Sequence, residues 1–181
     1  MDRIITEVSG GVLKIHNKHD NWGWGYNSWW SEKGMWHNHK KIAVYITVKD
    51  LNSIKVSGSG DVTLKEGITA NSLKLMVRGS GNIEGKIDVK TLESRISGSG
   101  SVKLWGSAES STVRIAGSGN FTARNLVTQN SAVRVSGSGH AEINANDKVD
   151  ATVHGSADVS YTGTAKIINS AKSGSGEIRR F

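Results

Sequence analysis

Residues 53–64 read SIKVSGSGDVTL, and the tetrapeptide Ser57-Gly58-Ser59-Gly60 at their centre has the composition of a flexible linker. It recurs too regularly to be one. Nearly the same string returns as RGSGN around Gly79, SGSGS around Gly98, AGSGN around Gly117, SGSGH around Gly137, HGSAD around Gly155 and SGSGE around Gly174. The first glycines are separated by 21, 19, 19, 20, 18 and 19 residues, so the string marks an internal repeat.

Aligned on the first glycine, the flanks resolve into columns. Four and two residues before it stand Ile54 and Val56, Leu75 and Val77, Val113 and Ile115, Val133 and Val135. Four and six residues after it stand Val62 and Leu64, Val102 and Leu104, Ala141 and Ile143, Val159 and Tyr161. Period two on both sides is the strand signature. A repeat of about 19 residues is too short for a helix pair or a propeller blade. The spacing predicts an all-β parallel β-solenoid with coils of 19–20 residues, successive turns stacking about 4.8 Å apart. The glycines then recur where a positive φ or a close approach of backbone demands them. The serines between them (Ser59, Ser80, Ser99, Ser118, Ser138, Ser156, Ser175) form a column whose hydroxyls are expected to bond along the stack. A phosphate loop is a poor alternative, because no GK[ST] follows the glycines.

Composition agrees with this reading. The 181 residues include 22 glycines, no proline and no cysteine, which excludes a disulfide framework and thiolate chemistry. A net charge of +7 suits an acidic partner, and equally serves solubility. The start, MDRIITEVSGG, has no signal-peptide pattern, and no stretch approaches the roughly 18 apolar residues of a membrane span.

The N-terminal part departs from the register. In VSGGVLKI (8–15), Leu13 and Ile15 follow Gly11 at the distances that separate Val62 and Leu64 from Gly60, so this segment is read as an early coil. The 49 residues from Gly11 to Gly60 exceed one coil, which places an insert at about 16–43 in a single solenoid domain spanning 1–181. KIAVYITVKDL (41–51) then alternates Ile42, Val44, Ile46 and Val48 and reads as a strand returning to the body.

The run DRIITEVSGGVLKI (2–15), then VYITVKDLNSIKVSGSGDVTL (44–64), then the repeated SGSG with Asp, Asn or Ser after it, and ADVSYTGTAKI (157–167), resembles the auto-transporter adhesin head domain family, the GIN domain, found largely in Bacteroidetes. The likeness implies a right-handed parallel β-helix, an exported or cell-surface setting and an adhesive role. It also implies that this chain begins partway into the usual domain. It carries over no catalytic residues, and the Trp-rich insert departs from it.

That insert, HNKHDNWGWGYNSWWSEKGMWHNH (16–39), holds Trp22, Trp24, Tyr26, Trp29, Trp30 and Trp36 among Gly, Asn and Ser. Indole faces beside amides suit stacking on sugar rings or burial in a protein interface, and equally a local core or a cap over one end of the solenoid. His16, His37 and His39, with Asp20, would form a zinc or nickel set only if the stems pair as a hairpin; such spacings arise by chance, and no cofactor or resident metal is expected.

Two columns on the repeat carry charge. Three residues before the first glycine stand Lys55, Met76, Arg95, Arg114 and Arg134, which period two places outside as a ladder suited to a repeating anion or simply to solvent. Three residues after it, His140, Asp158 and Glu177 fall on consecutive coils, the kind of wall a polysaccharide-cleaving enzyme uses, and also what an exposed turn flank carries. The reading taken is a noncatalytic, exported or cell-surface binding domain contacting a glycan or protein through the Trp-rich loop, with no nucleic acid expected. A polysaccharide-active enzyme and a structural or self-assembly module, a homo-oligomer, are the alternatives.

Overall fold

The computed structural model describes residues 4–17 and 42–181. It divides into two compact units, Met1–Tyr45 and Ile46–Phe181.

In the first unit, β1 (Ile4–Ser9) and β2 (Val12–Asn17) pair antiparallel, with Ser9 opposite Val12. The turn is Gly10-Gly11, with φ of 58° and 76°, the pair of positive dihedrals a type I′ hairpin requires. The expectation of a solenoid coil at VSGGVLKI is therefore corrected. Gly-Gly between two alternating runs is a hairpin signal, and the matching distance to Leu13 and Ile15 is a property of any strand with period two.

The second unit is the repeat. Its strands are β3 (Ser53–Gly58), β4 (Asp61–Gly79), β5 (Asn82–Gly98), β6 (Ser101–Gly117), β7 (Asn120–Gly137), β8 (His140–Gly155), β9 (Asp158–Thr162), β10 (Ile167–Ser173) and β11 (Glu177–Arg180). From β3 to β8 each pairs in parallel with the next; β9 and β10 lie side by side on β8, and β11 lies on β9. These strands form a β-solenoid, and no helix occurs among the described residues. The glycines stack as the spacing predicts: Gly58 on Gly79, Gly79 on Gly98, Gly98 on Gly117, Gly117 on Gly137 and Gly137 on Gly155. Coils that depart from 19 residues absorb the difference as register shifts away from the glycines, between Leu64 and Ile68 and again between Lys103 and Trp105. The β5–β6 ladder, separated by 19 residues throughout, runs without a shift.

The two glycines of each string do different work. The first has positive φ, 115° at Gly98, and its carbonyl accepts one or two N–H groups from the next coil. The Gly79 carbonyl, for example, accepts from Ser99 and Gly100, both at 3.0 Å. The second glycine is a packing requirement: a Cβ at Gly139 would stand 2.6 Å from the Gly119 carbonyl oxygen and 2.9 Å from Ile115. Ala157, buried, is the natural exception in that column. The serines between the glycines are exposed, and Ser80, Ser99, Ser118, Ser138 and Ser156 bond through their backbone N–H groups. Ladders of side-chain bonds lie in other columns instead, as in Asn82 Nδ2 to Asp61 Oδ1 at 2.7 Å and Ser101 Oγ to Asn82 Oδ1 at 2.6 Å.

Inside, the apolar columns meet. Leu73, Leu75, Ile83, Ile87, Leu92, Val113 and Phe121 are fully buried. At about 1.5–3 kcal/mol per buried aliphatic side chain, these columns are the main favourable term for the unit. In β5 the buried set Ile83, Gly85, Ile87, Val89 changes phase to Leu92, Ser94, Ile96, and the exposed Lys90 and Thr91 between them form a second corner. Ser94 stands in the apolar column between Leu75 and Val113, fully buried, its hydroxyl without a partner.

Residues 42–52 carry the expected apolar alternation but form no strand, and Ile42, Val44, Ile46 and Val48 are exposed. Alternation makes a strand only where a ladder partner exists. The chain joins the sheet at Asn52, whose carbonyl accepts the Lys74 N–H at 2.9 Å.

Candidate functional site

Because Leu75 and Val77 point inward, Lys74, Met76 and Arg78 point outward, and the same holds on each coil. Three outward columns result, one, three and five residues before the first glycine. The middle one is the expected ladder, in register: Lys55 beside Met76, Met76 beside Arg95, Arg95 beside Arg114, Arg114 beside Arg134. The three arginines are exposed.

Like charges on neighbouring strands repel, and one carboxylate relieves them. Glu93, in the adjacent outward column, places Oε1 2.6 Å from Arg95 Nη2 and 3.6 Å from Arg114 Nη1, while Oε2 lies 3.2 Å from Lys74 Nζ. The hydrogen bond from Lys74, joined by the charge of Arg95 and opposed by partial burial, holds the Glu93 carboxyl below the usual glutamate range. Among the described residues no carboxylate lies at ion-pair distance from Arg134, Arg78 or Lys55. Counting the three columns, six cations (Lys55, Lys74, Arg78, Arg95, Arg114, Arg134) face two acids, Glu93 and Asp150. Asp150 is itself held by Lys148 at 2.8 Å and by Asn169 at 2.6 Å, and these bonds, Lys148 first, lower its pKa.

A cleft of about 270 Å³ adjoins the upper half of the ladder. Ser110, Thr112, Asn130, Ser131, Lys148 and Asp150 line it, and Thr112 precedes Arg114 by two residues on the same face. Beneath the rim, the Ser111 and Ser131 hydroxyls bond each other at 2.6 Å.

The second wall is also in register, with His140 beside Asp158 and Asp158 beside Glu177. Asp158 Oδ1 accepts the Glu177 backbone N–H at 3.0 Å, and His140 Nε2 lies 3.4 Å from Glu142 Oε1. Asp158 and Glu177 are exposed on the outer surface. On β2, His16 Nε2 lies 3.2 Å from Glu7 Oε1 across the hairpin. Among the described residues no group of three or more His, Asp or Glu forms a metal cluster. Trp22, Trp24, Tyr26, Trp29, Trp30, Trp36, His37 and His39 lie outside the described residues.

Reading one column at a time missed the Glu93 clamp and the contribution of Lys74 and Arg78. The signal was present, because period two puts positions one, three and five before the glycine on the same face.

Comparison with known proteins follows the same lines. A family model described as "Putative auto-transporter adhesin, head GIN domain" matches residues 1–165. The fold is similar to that of a crystal structure reported as a "putative adhesin" from Bacteroides fragilis, at 29% identity and a TM-score of 0.85, covering 98% of this chain and 76% of that one. A "putative adhesin" from Parabacteroides distasonis is similar at 30% identity and a TM-score of 0.71 over 73% of this chain, which spans 56% of that protein's length. A "putative lipid binding protein" from the same species is similar at 25% identity and a TM-score of 0.72, over 98% of this chain and 78% of that one. No curated protein matches. Among the described residues no helix is long and apolar enough to cross a membrane. With the repeated glycine corners, the parallel coils and a family match over most of its length in agreement, the chain belongs to the GIN-domain family.

Proposed function

We propose that this chain is a noncatalytic, exported surface-binding domain in which the solenoid body is a rigid display frame and the Trp-rich insert contacts a glycan or a protein surface. The observation that carries this reading is the family membership, with two neighbours of the same fold reported as putative adhesins. Trp22, Trp24, Tyr26, Trp29, Trp30 and Trp36 supply the chemistry, since large amphipathic rings bind sugar faces and protein hot spots at low entropic cost. A lipid ligand, suggested by the description of a third neighbour, would meet the body on its outer surface, because the interior columns are filled by buried side chains.

Binding on a glycan array that disappears in the Trp29→Ala, Trp30→Ala double variant supports the reading. Sugar release from a polysaccharide, abolished by Asp158→Asn, would replace it with an enzyme. A concentration-dependent mass that falls when residues 20–36 are deleted would replace it with self-assembly.

A further inference from the structure

We propose that the arginine-bearing face is a second binding surface, separate from the Trp-rich insert, that takes a linear anionic polysaccharide carrying carboxylate or sulfate groups. Glu93 occupies the place of one ligand anion.

The face is flat, regular and cationic. Arg95, Arg114 and Arg134 stand on consecutive parallel strands, so their spacing along the solenoid is the strand spacing of about 4.8 Å. A linear polysaccharide with charged sugars presents anions at multiples of a ring length close to that spacing. Beside the ladder the next outward column is Ser97, Ala116 and Ser136, whose small side chains leave the guanidinium groups open to a chain laid along the stack.

Glu93 shows what the site does with a carboxylate. Its two oxygens take Lys74, Arg95 and Arg114 together, at 3.2, 2.6 and 3.6 Å. Arg134, one coil further, has the same outward placement and no carboxylate at ion-pair distance among the described residues. The internal anion therefore covers the lower rungs and leaves the upper rung to a ligand. A ligand anion with more charge or better geometry displaces Glu93 from Arg114, because guanidinium donors favour bidentate oxyanions.

The surroundings select a sugar polymer over other polyanions. The adjoining cleft of about 270 Å³ offers hydroxyls, an amide and the Lys148–Asp150 pair, groups that match the hydroxyls of a sugar ring and not its charges. Binding of single-stranded nucleic acid relies on aromatic platforms for base stacking, and the three outward columns hold no Trp, Tyr or Phe. A membrane surface is met by apolar side chains that insert below the headgroups, and Met76 is the one large apolar residue on this face.

Calorimetry on the whole chain tests this with four probes: a polyuronate, neutral dextran of equal length, a single-stranded oligonucleotide, and vesicles of phosphatidylcholine with phosphatidylserine. The polyuronate should bind, weakening as salt rises, and dextran should not. Arg114→Ala and Arg134→Ala should each weaken binding about tenfold. Glu93→Gln, which removes the competing anion without removing a cation, should tighten it about threefold to tenfold. The Trp29→Ala, Trp30→Ala variant should leave polyuronate affinity unchanged, which separates this surface from the insert. The inference is overturned if Glu93→Gln and the arginine variants leave affinity unaltered, if dextran binds equally, or if the oligonucleotide or vesicles bind more tightly than the polyuronate. Circular dichroism that is unchanged in every variant keeps loss of fold from being read as loss of binding.

Discussion

Two glycine strings that differ by one serine take opposite paths. VSGGVLKI (8–15) turns back on itself into an antiparallel hairpin, whereas KVSGSGDV (55–62) turns a corner and sends the chain on to be covered by the next coil. In the hairpin both glycines are needed for dihedral reasons alone: φ is positive at each, and among the described residues no atom stands within 4 Å of where a Cβ would be. In the stacked coils a second need is added, room for the neighbouring backbone. The first glycine supplies the positive φ and also lies against the coil below, whereas the second has an ordinary φ and only makes room for that coil. A serine between them gives one extra backbone N–H, which the carbonyl of the first glycine in the neighbouring coil accepts. Local conformation decides the hairpin; in the solenoid it is conformation together with stacking.

The comparison is sharpest within one column at different heights. Gly98 has both constraints, a φ of 115° and the Gly79 carbonyl oxygen 2.5 Å from a would-be Cβ, so Gly98→Ala should cost about 4 kcal/mol, read as a lowered urea midpoint. Gly58 has the dihedral constraint and no described atom within 4 Å, so Gly58→Ala should cost only about 1–2 kcal/mol. Gly60 has neither, and Gly60→Ala should fall within about 0.5 kcal/mol of the parent. Equal costs at Gly98, Gly58 and Gly60 would break the distinction between conformation and stacking. In the opposite direction, Ser94→Ala removes a buried hydroxyl without a partner and should raise stability by about 1 kcal/mol, visible as a higher melting temperature.

The period-two columns and their stacking were legible in the sequence because a solenoid repeats one solution, and each coil repeats the evidence for it. Val77, Ile96, Ile115, Val135 and Val153 are all buried for the same reason. The hairpin was misread because Leu13 and Ile15 satisfy the spacing rule of any strand, and a spacing does not reveal what lies alongside. Residues 42–52 failed likewise, their alternation having no ladder to join among the described residues. On the candidate surface the ladder was legible but the Glu93 clamp was not. It joins Lys74 of one coil, Arg95 of its own and Arg114 of the next, and so depends on neighbouring columns read together.

A further small effect concerns acid. Glu93 and Asp150 have pKa values lowered by their cationic partners, so their contribution is present above the ordinary carboxylate range and is lost as pH falls through the lowered values. Both carboxyls are partly exposed, which limits the effect to about 1 kcal/mol or less, and salt should reduce it. Glu93→Gln should flatten its share of the acid limb in urea titrations at falling pH; an acid limb of unchanged depth would deny the clamp any role in stability.

Everything assigned to a surface here depends on successive coils climbing in parallel register. Ser57, Ser97, Ser136 and Ser173 stand in one outward column, each linked through its partners on the intervening coils. The chain has no cysteine, so spin labels can be placed there cleanly by Ser→Cys substitution. Pulsed electron resonance should give a separation of roughly 19 Å between labels at Ser57 and Ser136, four coils apart, and roughly 29 Å between Ser57 and Ser173, six coils apart. Separations that fail to grow with the number of coils would contradict the stack.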